Sequence, residues 1–279
     1  LKVYVVGADA TRPSGLLASP YMEKEMRVLG YQPEPLSVRD ASGFLKALQN
    51  CAQPDALILC PLSGNLQQDA ACIQAVAQVC QRELEPNEGA IKHLVKRQKL
   101  SQEQAQQLAL LPQGARIFPC HQSALPGFEA AGEGFHIVVM PSDPEEQISL
   151  FFSYLFQILK KASASPCVVR VARVMEMDAA QVELALAELL DAQSPCVAVY
   201  PKKSEVIVRI CDNSADRSKA AQRCTAALQA VTERLGDCVY GIDVNSIEHA
   251  VMAKCAKKNI RLAFAESGSA GLAAKHFGN

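Results

Sequence analysis

Short apolar runs bounded by turn residues alternate along this chain with longer segments whose apolar residues recur at helical spacing, and that rhythm leaves few folds open. Lys2 to Val6, Asp55 to Cys60 and Phe135 to Met140 are runs of the first kind. They predict buried parallel strands, because a strand covered on both faces loses the polar alternation of a half-exposed one. Between them, Ser19-Pro20 predicts a capped helix start and Gly30 a stop, and Asp40 predicts the cap of a helix with Phe44, Leu45 and Leu48 on one face. The alternation predicts a layered α/β domain.

Gln67 to Leu84 is helix-compatible, and Gly89 to Leu111 carries enough Gln and Lys to predict surface helices up to Pro112. A helix from Gln147 to Lys161 follows the third strand, and Ser163-Ala164-Ser165-Pro166 reads as a linker, which sets the first domain at residues 1–162. Beyond it come a strand (Cys167 to Val174), a helix from Asp178 to Leu190, strands at Cys196 to Tyr200 and Glu205 to Cys211 joined through Pro201-Lys202-Lys203-Ser204, and a helix from Asn213 to Leu235 that Gly236 closes. This is a small α+β domain of βαββα order over residues 166–240. From residue 241 a third α/β unit begins, with a helix from Asn245 to Lys258, a strand from Ile260 to Ala265, and a turn into another helix. That unit is expected to be cut short at residue 279, and the start without Met reads as a trimmed one.

A length of 279 residues exceeds what one core usually organises, and 49% hydrophobic with 20% charged residues excludes wholesale disorder. The 28 basic and 29 acidic side chains leave a net charge of -1, so no global field gathers nucleic acid or anionic membrane. No run approaches the roughly 18 apolar residues of a membrane span, and the apolar start is too short for a signal peptide. Eleven cysteines without a C-x-x-C pair or a zinc-ligand pattern predict reduced, buried thiols and a cytoplasmic protein. His121 beside Cys120, and His93, His136, His249 and His276, stand apart from acidic or basic partners in sequence and receive no role.

Chemistry concentrates at Ala265-Glu266-Ser267-Gly268-Ser269-Ala270-Gly271. Small residues at a strand-to-helix turn admit a ligand, and the helix start offers unpaired N–H groups to an anion or a developing oxyanion. Ser267 is placed there either as a nucleophile or as a helix cap.

The order of units together with this turn resembles the CinA family of competence/damage-inducible proteins, in which a three-layer molybdopterin-binding-like (MoaB/MogA-type) domain precedes a KH-type domain and a nicotinamide mononucleotide deamidase domain opening with AESCTGG. Ala265, Glu266, Ser267 and Gly271 match that motif, while Gly268, Ser269 and Ala270 depart from it. The resemblance implies Ser267 as the deamidase nucleophile, in a ligand-binding turn with Glu266 and Gly271, assisted in the family by a tyrosine and a lysine farther along. The family's GGLGPT-x-DD stands here as Pro61-Leu62-Ser63-Gly64-Asn65-Leu66-Gln67-Gln68-Asp69, keeping Gly64 as a ligand-loop residue and Asp69. Its NPVGTAPGF stands as Cys120 to Phe128, and its PGVPSE as Pro141-Ser142-Asp143-Pro144-Glu145-Glu146. Some relatives hydrolyse ADP-ribose with a divalent metal, for which the resemblance leaves Asp69 and Glu146 as ligands.

A nucleic-acid-binding KH fold needs a G-x-x-G loop, and none occurs between Cys167 and Gly236, so Lys202, Lys203 and Arg209 are expected to be solvated charges. The expected partners are therefore a small nucleotide and further copies of the chain, as relatives are oligomeric, with neither nucleic acid nor membrane. Three functional readings follow: a CinA-like protein of pyridine-nucleotide metabolism without a complete active site in this chain, a piece of an active nicotinamide mononucleotide amidohydrolase, or a non-catalytic nucleotide- or molybdopterin-binding module.

Overall fold

The computed structural model describes residues 1–8, 16–118, 120–163, 167–269 and 271–277, with the backbone alone at Arg97, Gln98, Leu272, Ala273 and His276. Ala270 and most of the expected linker thus lie outside the described residues. The chain divides into two compact units, Leu1–Ser165 and Pro166–Asn279.

The first unit runs β1 (Lys2–Ala8), α1 (Pro20–Val28), β2 (Glu34–Val38), α2 (Ala41–Cys51), β3 (Ala56–Pro61), α3 (Leu66–Val79), β4 (Leu84–Pro86), α4 (Glu88–Gln98), α5 (Gln102–Leu108), β5 (Leu110–Pro112), β6 (Arg116–Phe118), β7 (Gly127–Ala131), β8 (Phe135–Met140), α6 (Pro144–Leu150), a π-helical turn (Phe151–Leu155) and α7 (Phe156–Ala162). Its six-stranded sheet has the order β2-β1-β3-β8-β7-β6, with β2, β1, β3 and β8 parallel and β7 and β6 antiparallel. The three strands expected from their apolar runs are neighbours at its centre. β2 was missed because Pro35 interrupts it, and it occupies the sheet edge, where a missing N–H costs least. β7 was missed because Pro126-Gly127 reads as a turn.

Successive side chains of a strand point to opposite faces. Tyr4, Val6, Ile58, Cys60, Ile137 and Val139 join one core with residues of α2 to α5. Val3, Val5, Leu57, Leu59, Val138 and Met140 are buried on the other face. α1 and α7 supply Met22, Met26 and Leu159 to that second side and are tied by Tyr31 Oη donating to Leu159 O (3.0 Å) and Ser163 Oγ donating to Leu29 O (3.0 Å). The result is three layers, helix on sheet on helix. Expected caps are in place: Ser19 Oγ accepts from Tyr21 N (3.3 Å) and Asp40 Oδ1 from Gly43 N (2.7 Å).

The second unit runs β9 (Val168–Val174), α8 (Ala179–Ala185), α9 (Ala187–Leu190), β10 (Cys196–Pro201), β11 (Val206–Asp212), α10 (Arg217–Leu235), β12 (Val239–Ile242), α11 (Ile247–Lys257) and α12 (Leu272–Phe277). Its sheet, ordered β10-β11-β9-β12, is antiparallel throughout. The helix α10 lies on β9 and β11 with Ala220, Cys224, Leu228 and Val231 buried, and Gly236 ends it at φ +55°. The expected Pro201 to Ser204 loop joins β10 and β11, held by Lys202 N donating to Glu205 O (2.9 Å).

The expected strand from Ile260 to Ala265 does not form. Those residues pair with no described strand and lie exposed, Ile260, Leu262 and Phe264 by 52%, 43% and 45%. An alternating apolar run satisfies strand propensity, yet a ladder needs a second edge to hydrogen-bond with. Phe264 packs instead on Phe277 of α12, ring centroids 5.0 Å apart.

Candidate functional site

In the first unit the connection leaves β1 to one side for β2 and returns to the other side for β3, so the carboxyl ends of β1 and β3 form the point where open α/β sheets place ligands. The loop after β3 carries Gly64, whose φ of +85° is accessible mainly to glycine. A Cβ there would sit 3.6 Å from Ser142, so the loops following β3 and β8 touch. Replacing Gly64 with alanine is expected to cost about 1 kcal/mol through this φ, since no clash arises; a thermal-unfolding comparison measures it.

Asp69, in the first turns of α3, is buried and holds this loop. Its Oδ1 accepts from Ser63 N (2.7 Å) and Ser63 Oγ (2.9 Å), and its Oδ2 from Gly64 N (3.0 Å). Glu146 does the same for a second loop: its carboxylate accepts from His121 N, Gln122 N (2.8 Å), Ser123 N (2.9 Å) and Ser123 Oγ (2.6 Å). Burial pushes the Glu146 carboxyl up, but the Ser123 hydroxyl and the three amides outweigh it and hold it below the usual carboxylate range.

The local pattern Asp143-Pro144-Glu145-Glu146 would ordinarily send the N3 glutamate back to the cap N–H. Here Ser123 Oγ accepts that N–H from Asp143 (2.9 Å), which releases Glu146 to bind the 121–123 loop. Both carboxylates named as metal ligands therefore act as loop clamps, their oxygens engaged by protein donors. Among the described residues no group of three or more His, Cys, Asp or Glu side chains could hold a metal ion.

In the second unit, Glu266 organises the small-residue turn. Its Oε1 accepts from Ser269 Oγ (3.0 Å) and its Oε2 from Ala274 N (3.1 Å) in α12, while Gly268 and Gly271 adopt φ of +83° and +75°. Ser267 is exposed at the tip of this turn, and no described residue hydrogen-bonds to its Oγ. The structure brings Gly64 and Asp69 together at the β3–α3 connection, and Glu266 and Gly271 share the turn before α12. Lys202 and Lys203 lie in the β10–β11 turn with Lys203 exposed, whereas Arg209, expected to be solvated, is buried. Arg209 sits in the central strand β11, where neighbouring strands flank it on both sides.

Sequence reasoning passed over Ser123, whose hydroxyl links Glu146 to Asp143, and His93 in α4, whose Nε2 is buried without a hydrogen-bond partner. Neither lies in a recognisable local pattern; Ser123 finds its partners 20 and 23 residues away.

A three-layer α/β unit whose strand-end loops are clamped by carboxylates, followed by a βαββα unit without a G-x-x-G loop, defines a two-unit α/β protein. A family model, the damage-inducible protein CinA KH domain, matches residues 169–241. The chain is 27% identical over 247 residues to a CinA-like protein of Desulfovibrio desulfuricans, covering 86% of this chain and 57% of that protein. It is also 27% identical over 165 residues to a CinA-like protein of Dictyoglomus turgidum, covering 59% and 40%. A solved structure of a protein CinA of unknown function from Thermoplasma acidophilum is similar at a TM-score of 0.46 and 17% identity, over 56% of this chain and 97% of that one. The chain carries a match to the CinA KH domain and is similar to CinA-like proteins, and it spans about half the length of the curated relatives it matches. Among the described residues no helix is long and apolar enough to cross a membrane.

Proposed function

We propose that this protein belongs to the CinA family and serves pyridine-nucleotide metabolism, with Ser267 as the nucleophile of a nicotinamide mononucleotide amidohydrolase turn that this chain does not complete by itself. The observation that carries the reading is the Glu266-braced turn, which presents Ser267 Oγ to solvent with no described side chain hydrogen-bonded to it. A serine hydroxyl is a weak nucleophile until a neighbouring group takes its proton. With such a base supplied, Oγ attacks the carboxamide carbon, the amine leaves as ammonia carrying the serine's proton, and water hydrolyses the resulting ester to the carboxylate and free Ser267. Small residues from Gly268 to Gly271 leave room for the substrate, and the start of α12 sits beside the turn.

The test is ammonia release from nicotinamide mononucleotide. The 279-residue chain is expected to release none above the Ser267→Ala background. Turnover by the chain that Ser267→Ala abolishes would show that it holds its own base and would overturn the incomplete-site reading. In a longer protein containing this chain, ammonia release is expected and should fall to background with Ser267→Ala; unchanged release would remove Ser267 from the reaction.

Metal-assisted hydrolysis of ADP-ribose in the first unit would require Asp69 and Glu146 to give up the loops they hold. That makes the second unit the better seat for chemistry.

A further inference from the structure

A cavity of about 160 Å3 opens in the first unit where the turn between β5 and β6 meets the end of β7 and the start of β8, and Arg82, Gly114, Arg116, Glu129 and His136 line it. Its volume is several times a water molecule's share of the liquid, about 30 Å3. His136 is the second residue of β8, and the far end of that strand leads to Ser142 beside Gly64. The cavity therefore lies at the opposite end of the sheet from the Gly64 loop.

The exposed guanidinium of Arg116 is held in place by its surroundings. Arg116 stands opposite Glu129 in the β6–β7 ladder, and its guanidinium carbon lies 4.5 Å from the ring centroid of Tyr154 and 5.5 Å from that of Phe118. A cation gains from the face of an aromatic ring, and the planar fork keeps its N–H groups at the rim for an anion. Tyr154 comes from the π-helical turn, a rare element that recurs at functional sites. Its Oη donates to Glu129 Oε2, and Glu129 Oε1 meets His136 Nδ1 at 2.8 Å. Both oxygens of the one acid on the wall are thus occupied, and Nε2 is the ring nitrogen of His136 left to a ligand. Arg82 adds a second guanidinium: its Nη1 lies 3.6 Å from where a Cβ on Gly114 would sit, at a φ of +71°. Arg82 is exposed and has no carboxylate partner among the described residues.

We infer that this cavity binds the phosphate group of a small ligand, with Arg82 and Arg116 as its anchors and His136 as a third contact. Two guanidinium groups stand against one carboxylate on the wall even with the imidazole neutral, and that carboxylate is already engaged by His136 and Tyr154. Guanidinium–phosphate hydrogen bonds are charge-assisted and among the strong ones. The donors come from three places, the segment after α3, β6 and β8, which suits the tetrahedral spread of phosphate oxygens better than the flat pair of a carboxylate. With Nδ1 donating to Glu129, His136 Nε2 accepts from a protonated phosphate oxygen when the ring is neutral and donates when it is charged. This site is separate from the Ser267 turn, and its test does not depend on amide hydrolysis.

The experiment uses the full chain labelled with 15N-arginine and titrates inorganic phosphate, adenosine 5′-monophosphate and adenosine separately at fixed ionic strength, reading the arginine Nε–H signals by NMR. The Arg82 and Arg116 signals are expected to shift saturably with a phosphate-bearing probe and to stay in place with adenosine. A response to inorganic phosphate alone identifies the free anion as the ligand, and nucleotide binding at least as tight identifies a phosphate ester; either upholds the site. Arg82→Gln and Arg116→Gln should each weaken binding at least about tenfold, and circular dichroism should show the fold intact, as both side chains are exposed. Lys203→Gln, which removes an equal charge from the exposed turn of the second unit, should leave binding unchanged. The site is overturned if neither phosphate-bearing probe gives a saturable shift, or if adenosine moves the two signals as strongly as its monophosphate. It is also overturned if Lys203→Gln weakens binding as much as the arginine variants do, since the response is then one of overall charge.

Discussion

Replacing Arg173 with alanine is expected to destabilise the second unit by about 3–5 kcal/mol, the range seen when one partner of a buried ion pair is removed. Arg173 is 9% exposed in the middle of the sheet. Its Nη1 meets Glu205 Oε1 at 2.5 Å, its Nε donates to Val244 O (2.7 Å), and its Nη2 donates to Asn245 O. Tyr240 Oη donates to the other Glu205 oxygen. Truncation leaves Glu205 half-satisfied in a nearly dry setting and frees the carbonyls that fix the chain after β12. Hydrogen exchange on β9 and β12 provides the readout, because it reports this sheet independently of the first unit. The cost is attributed to the stranded carboxylate, so Arg173→Met combined with Glu205→Leu should recover most of the loss. A double variant as unstable as Arg173→Ala would assign the effect to the lost carbonyl contacts.

The second large effect is expected at Glu146. Removing a carboxylate that gathers three amides and a hydroxyl should destabilise the first unit by about 2–3 kcal/mol, with the 121–123 loop the first to open. The pH dependence has a definite sign. The folded carboxyl is held below its ordinary value, so the unfolded chain takes up the proton first on acidification. The stabilisation is therefore complete above the unfolded value of about 4.3 and fades as the pH falls through the depressed folded value. Urea unfolding of the wild type and Glu146→Gln should show a constant gap from about pH 7 to about pH 5 that closes in more acidic solution. A gap that persists unchanged through the acid range would mean that shape, and not charge, gives Glu146 its effect.

The loop clamps bear on function through rigidity. Asp69 and Glu146 fix the Ser63-Gly64 turn and the His121 to Ser123 turn from the start of two different helices, α3 and α6. The clamped 121–123 turn adjoins Cys120, whose Sγ donates to Ser123 O.

Local signals were legible wherever a few adjacent residues determine the outcome. The central strands β1, β3 and β8 follow from uninterrupted apolar runs, and the caps Ser19, Asp40 and Asp178 follow from a side-chain oxygen reaching an amide two or three residues on. The family resemblance rests on the same kind of short motif. Tertiary structure decided what those residues do. Asp69 and Glu146 carry the charge and the helix position of metal ligands, but amide donors 5, 6 and 23 to 25 residues away take up their oxygens. Ile260 to Ala265 has the apolar alternation of a strand and finds no edge to pair with, since pairing belongs to two segments and sequence pattern to one. Arg173, Glu205 and Tyr240 likewise meet only because β9, β11 and β12 assemble around them. The sequence alone therefore determined the central strands and the helix caps; the assembled sheets decided which polar groups the fold consumes, as at Asp69, Glu146 and Arg173.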